Sequence, residues 1–231
     1  MSLLTPDLIE KINTTLLRDL PPIKSDVGLV FGQGVYSLLL VPKAAEGLAQ
    51  GRYPKIIISG GAEVLKTPDA QALIGFMKQN GVANDHLPRE GEREADYIFR
   101  LLPDFAKAVA VCERNSLNTG ENVALSRPLG LDEATSITTI NSASATMRVL
   151  GTLRKNFPDP QIKPISTIPV YPPGINASNW PHVPFAANSM VGEFQKLTAY
   201  EQEGFIVAVN LDRETECLLS SGKLLPTVTL K

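Results

Sequence analysis

Five short apolar runs, separated by stretches with helical spacing, limit what this chain can fold into more than any other feature. The runs are 26-DVGLVFG-32, 54-PKIIISGG-61, 108-AVAVC-112, 135-TSITTIN-141 and 162-IKPISTIPV-170. Most lack the strict polar alternation of a half-exposed strand and read as strands buried on both faces. Helices are expected from Thr5 to about Asp19, with Thr5 as N-cap and Pro6 at the first helical position, and over 35–51, where Pro42 implies a kink or a delayed start. Further helices are expected over 68–81, 94–102, 119–127 and 144–157, and a long one from Met190 to about Asn210.

Strands alternating with helices at this spacing require right-handed crossovers and a mainly parallel sheet covered on both faces. The expectation is an α/β, Rossmann-like three-layer sandwich with a C-terminal helical segment. The chain of 231 residues reads as a single domain. Its core is placed at 20–170, and 171–231 supplies a proline-rich lid loop, the long helix and a polar tail that adds an edge strand. The segment from Val82 to Glu92 reads as loop.

Composition removes several classes of function. A net charge of −2, with dispersed Lys and Arg, leaves no basic field for a nucleic-acid backbone. The longest apolar runs fall well short of the roughly 20 residues that span a bilayer. The N-terminal helix mixes Asp7, Glu10 and Lys11 into its apolar positions, unlike a signal-peptide core, so the expected location is the cytoplasm. Cys112 and Cys217 form no metal-binding spacing and read as structural thiols. The expected partner is a small molecule.

In an open parallel sheet, ligands bind beyond the carboxyl ends of the strands, where the strand order reverses. The candidate site is therefore sought in Gly32, Gln33 and Gly34; in Ser59, Gly60 and Gly61; in 113-ERNSLNTGEN-122; and in Ser142. Gly32-Gln33-Gly34 lacks the third glycine of a dinucleotide fingerprint and is either a tight turn or part of a ligand loop. Ser59-Gly60-Gly61 either reverses the chain or admits a ligand close to the backbone. Asn118 is a good N-cap, and Glu121, three residues on, can return to the cap's own N–H. That leaves Glu113, Asn115, Ser116, Thr119 and Asn122 without a local reason. The acidic charge of Glu113 and Glu121 disfavours a directly bound phosphate dianion and fits ribose hydroxyls, an amino group, a sulfonium or a metal. Arg148 is either a packing arginine or a cationic counterpart for an anion, and Glu94 either a first-turn acid or a site residue. His86 and His182 read as loop residues without a role, and Trp180 as a lid residue or a buried anchor.

The segments 26-DVGLVFGQG-34, 54-PKIIISGG-61, 93-REA-95, 113-ERNSLNTGEN-122 and 140-INSASATMRVLGTLRK-155 together resemble the YdcF-like family of SanA/ElyC-type domains, over roughly Asp26 to Lys155. The resemblance implies a Rossmann-like fold. It also implies a common site lined by Ser59, Gly60, Gly61, Glu94, Glu113, Ser116, Asn118, Thr119, Glu121, Asn122 and Arg148, and S-adenosylmethionine as ligand. Many relatives carry a histidine where this chain has Ala145, so no acid/base role is carried over to that position, and the membrane spans of the envelope branch are missing. The expected function is binding of an adenosyl-type small molecule, with group transfer as the reaction if there is one. Two alternatives stand beside it: a metal-dependent hydrolase or transferase using Glu94 and Glu113 on a phosphorylated or glycosylated metabolite, and a non-catalytic sensor.

Overall fold

The computed structural model describes residues 4–17, 20–67 and 70–225. Strands β1 (Val27–Phe31), β2 (Ile56–Ser59), β3 (Ala110–Glu113), β4 (Ile137–Ser142) and β5 (Ile165–Val170) form one parallel sheet in the order β3-β2-β1-β4-β5. The chain builds outward from β1 to β3, then crosses to the far side of β1 to lay down β4 and β5. The order therefore reverses between β1 and β4. Register aligns Phe31 with Ser59 and Ser59 with Glu113, while Val30 lies beside Ile140. The carboxyl ends of β1, β2 and β3 are level, and β4 runs one residue past the end of β1.

The helices are α1 (Pro6–Leu16), α2 (Ser37–Ala49), α3 (Ala70–Gln79), α4 (Glu94–Leu101), α5 (Asp104–Lys107), α6 (Thr119–Ser126), α7 (Thr146–Asn156), α8 (Pro184–Gln202) and α9 (Leu211–Ser220). Alternate strand residues divide between two cores, as the period of two requires. Leu29, Ile57 and Ile137 face Val123, Val149, Leu153 and Leu218 of α6, α7 and α9. Val30, Ile56, Ile58 and Ile140 face Leu40, Ala44, Ala95 and Ile98 of α2 and α4. These are the two outer layers of a Rossmann-like sandwich. A third cluster packs α1 and α8 around fully buried Trp180, whose indole N–H donates to Asn13 Oδ1 at 2.8 Å. Trp180 is thus the anchor of its loop.

Several boundaries differ from those expected. Helix α2 runs through Pro42 from Ser37, so its start is not delayed. The loop over 82–92 contains one 3-10 turn, Asn84–His86, and α5 is a single extra turn after Pro103. Strand β3 starts two residues and ends one residue later than its apolar run, which brings Glu113 into the sheet. Helix α8 begins at Pro184, because proline is well suited to a first helical position, and stops before Gly204 at φ +72°. Residues 203–210, expected as its last turns, are turn and coil, and a separate helix, α9, follows where a polar tail is expected; its N-cap Asn210 accepts from the N–H groups of Asp212 and Arg213. Leu224 forms an isolated antiparallel bridge with Ile23; the rest of the expected edge strand, 226–231, lies outside the described residues, as do Asp19 and the first two positions of the helix expected over 68–81. No helix among the described residues is long and apolar enough to cross a membrane.

Candidate functional site

A cavity of about 720 Å³ opens at the carboxyl ends of β1 and β4, where the strand order reverses. Its floor is the turn after β1, with Gly32, Gln33 and Gly34, and the end of β4, with Ser142, Ser144 and Ala145. Glu94 at the start of α4 and Asn118, Thr119 and Asn122 in the first turn of α6 form one wall, and Arg148 of α7 another. Phe185, Ser189, Gly192, Glu193 and Lys196 of α8 line it from the remaining side. The volume lies in the range of pockets that enclose a drug-sized ligand.

Gln33 closes the switch point. Its side-chain Oε1 accepts the Ser142 N–H at 2.7 Å, so the end of β1 is tied to the end of β4. Its own N–H donates to Ser37 Oγ at 3.0 Å. The left-handed Gly34, at φ +58°, then turns its N–H onto Glu94 Oε1.

Glu94 is seated by two glycines. A Cβ at Gly32 would lie 2.6 Å from both Glu94 Cβ and Oε2, and one at Gly60 would lie 2.7 Å from the same atoms. Glu94 is 7% exposed. Burial pushes its carboxyl up to about 7, against the opposing pull of the Gly34 N–H. No donor among the described residues reaches Oε2, and Oε2 is not one of the sealed unpartnered atoms, which are Ser126 Oγ and Thr167 Oγ1. Gly32→Ala is expected to destabilise the protein by about 1–3 kcal/mol, because its Cβ overpacks against Glu94. Gly192→Ala, with nothing within 4 Å of the added Cβ, is expected to be neutral or to stabilise by a few tenths of a kcal/mol, as alanine favours helix. Urea unfolding of the two variants measures the contrast.

The polar stretch after β3 divides into residues that face the cavity and residues that build its wall. Asn118 Oδ1 accepts the Glu121 N–H at 2.9 Å and caps α6. Glu121 does not return to the cap's own N–H; its carboxylate takes the Leu117 N–H at 2.7 Å and the Asn118 side-chain amide at 2.8 Å. Glu113, 4% exposed, accepts from the N–H groups of Asn115 (2.5 Å) and Ser116 (3.0 Å), from Ser59 Oγ (2.7 Å) and from Ser116 Oγ. Burial works against the charge, but these donors outweigh it and hold the carboxyl below its ordinary range. Gly61 donates to the Ser116 carbonyl at 2.8 Å, and a Cβ there would meet the Arg114 carbonyl at 2.5 Å.

Of the expected site residues, the cavity wall contains Gly32, Gln33, Gly34, Glu94, Asn118, Thr119, Asn122, Ser142 and Arg148. Ser59, Gly60, Gly61, Glu113, Asn115, Ser116 and Glu121 stand behind it. Their role in this geometry is to position the first turn of α6 and to seat Glu94. The electrostatic case against an anion loses force accordingly, since Glu113 and Glu121 turn their carboxylates onto their own loop.

Arg148 is engaged across the cavity by Glu193, which local sequence did not single out. Its Nε donates to Glu193 Oε2 at 2.7 Å, Nη2 reaches Oε1 at 3.4 Å, and Nη1 donates to Thr119 Oγ1. Lys196 Nζ donates to Glu193 Oε1 at 3.1 Å. Burial opposes ionisation of Glu193, but Arg148 and Lys196 hold its carboxyl below the usual range. The only local signal of Glu193 is the spacing Glu-x-x-Lys, which reads as an ordinary helix-surface pair. His86 and His182 lie outside the cavity wall, and among the described residues no three His, Cys, Asp or Glu side chains gather as a metal would need. Compared with protein-family models and with curated proteins, the chain matches none.

Proposed function

We propose that this protein binds an adenosyl-type small molecule, with S-adenosylmethionine as the member to test, in the cavity between the ends of β1 and β4. The observation that carries the reading is the place and make-up of that cavity. It lies at the strand-order switch of a Rossmann-like sheet, where nucleosides and related ligands are characteristically held. It offers hydroxyl and carboxamide groups from Gln33, Asn118, Asn122, Ser142, Ser144 and Asn188, suited to ribose and base edges. Arg148 and Lys196 suit a ligand carboxylate, and Glu94 suits a hydroxyl or a positive centre. The resemblance of 113-ERNSLNTGEN-122 to the YdcF-like family supports the same ligand class. Two free thiols, Cys112 and Cys217, accord with a cytoplasmic location in this reading.

A hydrolase using Glu94 and Glu113 as paired carboxylates is the weaker reading. Glu113 is already bonded to four donors and does not line the cavity. A sensor and a group transferase share the same binding step and separate only by whether the ligand is returned unchanged.

Calorimetry with S-adenosylmethionine is expected to show saturable binding. Gly192→Phe tests the location, since its ring enters the cavity from a helical position with open space around it. The variant is expected to keep its thermal midpoint and to lose at least about tenfold in affinity, or about 1.4 kcal/mol. Absence of heat with the wild-type protein, or unaltered binding by the Phe variant, overturns the assignment.

A further inference from the structure

The charged groups lining the cavity are unequal in what they leave for a ligand. Arg148, Glu193 and Lys196 are bonded to one another across α7 and α8. Behind the wall, Glu113 is bonded to the β2 and β3 ends and Glu121 to the α6 cap. Around α4, its N-cap Arg93 donates to the Arg114 carbonyl and Asp96 accepts from the Arg114 guanidinium, while Lys66, on the 3-10 turn before α3, pairs with Glu63. Only Glu94 joins deep burial, a place in the cavity wall and a carboxyl oxygen that receives no donor among the described residues.

We infer that Glu94 is the cation-recognising group of the cavity, its Oε2 receiving a positively charged centre, a sulfonium or an ammonium, of the bound molecule. The inference rests on reading the cavity as an adenosyl-ligand site and adds the charge class of what it prefers. A carboxyl taken from water into a protein wall loses its hydration, and that loss is recovered only through a partner of opposite charge or a donor. The fold commits two glycines to making room for this side chain, and the Gly34 N–H fixes Oε1 while Oε2 is left over Gly32 and Gly60. A cationic centre beside Oε2 supplies the missing partner in a site where charge is poorly screened. A neutral ligand of the same shape supplies none.

S-adenosylmethionine and S-adenosylhomocysteine separate the alternatives, because they share the adenosine and amino-acid parts and differ in the charged sulfonium. Glu94 ionises at about 7, so it is a carboxylate at about pH 8 and largely neutral at about pH 6. Wild-type protein at about pH 8 is expected to prefer S-adenosylmethionine by at least about tenfold, and that preference is expected to shrink several-fold at about pH 6. Below about 7, binding of the cation expels a proton from Glu94, which calorimetry in buffers of different ionisation enthalpy detects. Glu94→Gln keeps an acceptor for the Gly34 N–H and is expected to bind the two ligands about equally at either pH. Equal affinity of the wild-type protein for both ligands at the higher pH, or a preference that survives in Glu94→Gln, overturns the inference and leaves the adenosyl site standing. Binding of neither ligand overturns both.

Discussion

Replacing Arg154 by alanine is expected to lower stability by about 3–5 kcal/mol, because it leaves an uncompensated carboxylate in the interior. Arg154 of α7 and Glu214 of α9 are 4% and 5% exposed, and the guanidinium meets the carboxylate through two near-parallel bonds, Nε to Oε1 at 2.5 Å and Nη2 to Oε2 at 2.6 Å. Nη1 also donates to the carbonyls of Phe157 and Lys163, at 3.0 and 2.9 Å, so the ends of α7 and of the segment entering β5 hang on one side chain. Lysine cannot reproduce this fork, and Arg154→Lys is expected to recover little of the loss. Replacing both partners, Arg154→Met with Glu214→Leu, removes the charge and its desolvation together, and is expected to lie within about 1–2 kcal/mol of wild type. Urea unfolding of the single and double variants measures all three. If the double variant is as unstable as Arg154→Ala, the bonds to the Phe157 and Lys163 carbonyls are what matters and the ion pair is secondary.

That pair also marks where the sequence is hard to read. Strands β1 and β2 are legible because both their faces are buried, which leaves nearly unbroken apolar text in 27-VGLVF-31 and 56-III-58. Strand β3 starts two residues and ends one residue after the apolar run because it lies at the sheet edge, where Val111 remains 40% exposed and the polar Glu113 is the buried end. Helix α9 was hidden by Glu214, a charged residue in the middle of the buried face formed with Cys217 and Leu218. Its partner is 60 residues earlier in the chain, beyond any local pattern.

The candidate site divides along the same line. Residues that end strands or cap helices advertise themselves by type, and Gly32, Gln33, Asn118 and Ser142 all reach the cavity wall. Residue type does not reveal which way a side chain turns. Ser59 and Glu113 are register partners on adjacent strands, so their hydroxyl and carboxylate meet each other and neither is left for a ligand. Glu193, Lys196 and Phe185 come from a helix far along the chain, with 45 residues between Arg148 and Glu193. Only tertiary folding brings them to the cavity.

Glu113→Ala is the second large effect expected, about 3–4 kcal/mol, from a residue that touches no ligand. Its carboxylate accepts from two backbone N–H groups and two hydroxyls, and alanine leaves these buried donors without an acceptor, each such loss costing about 1–3 kcal/mol before relaxation. The loop it holds carries Asn118, Thr119 and Asn122, so ligand binding falls with stability even though the cavity wall is chemically unaltered. Glu113→Gln is expected to lose less, about 1–2 kcal/mol, because its oxygen still accepts the two N–H groups while the hydroxyls rotate to meet the amide. The two losses differ in their pH dependence from one due to packing alone. The folded carboxyl is held below its unfolded value, so its stabilisation is complete above about 4.5 and fades as pH falls through the lower folded value. The stability gap between wild type and Glu113→Ala, measured by urea unfolding at neutral pH and again at about pH 3, is therefore expected to narrow on acidification. A gap that stays constant means the side chain acts by filling space, and the account of this carboxylate as the electrostatic knot of the strand ends fails.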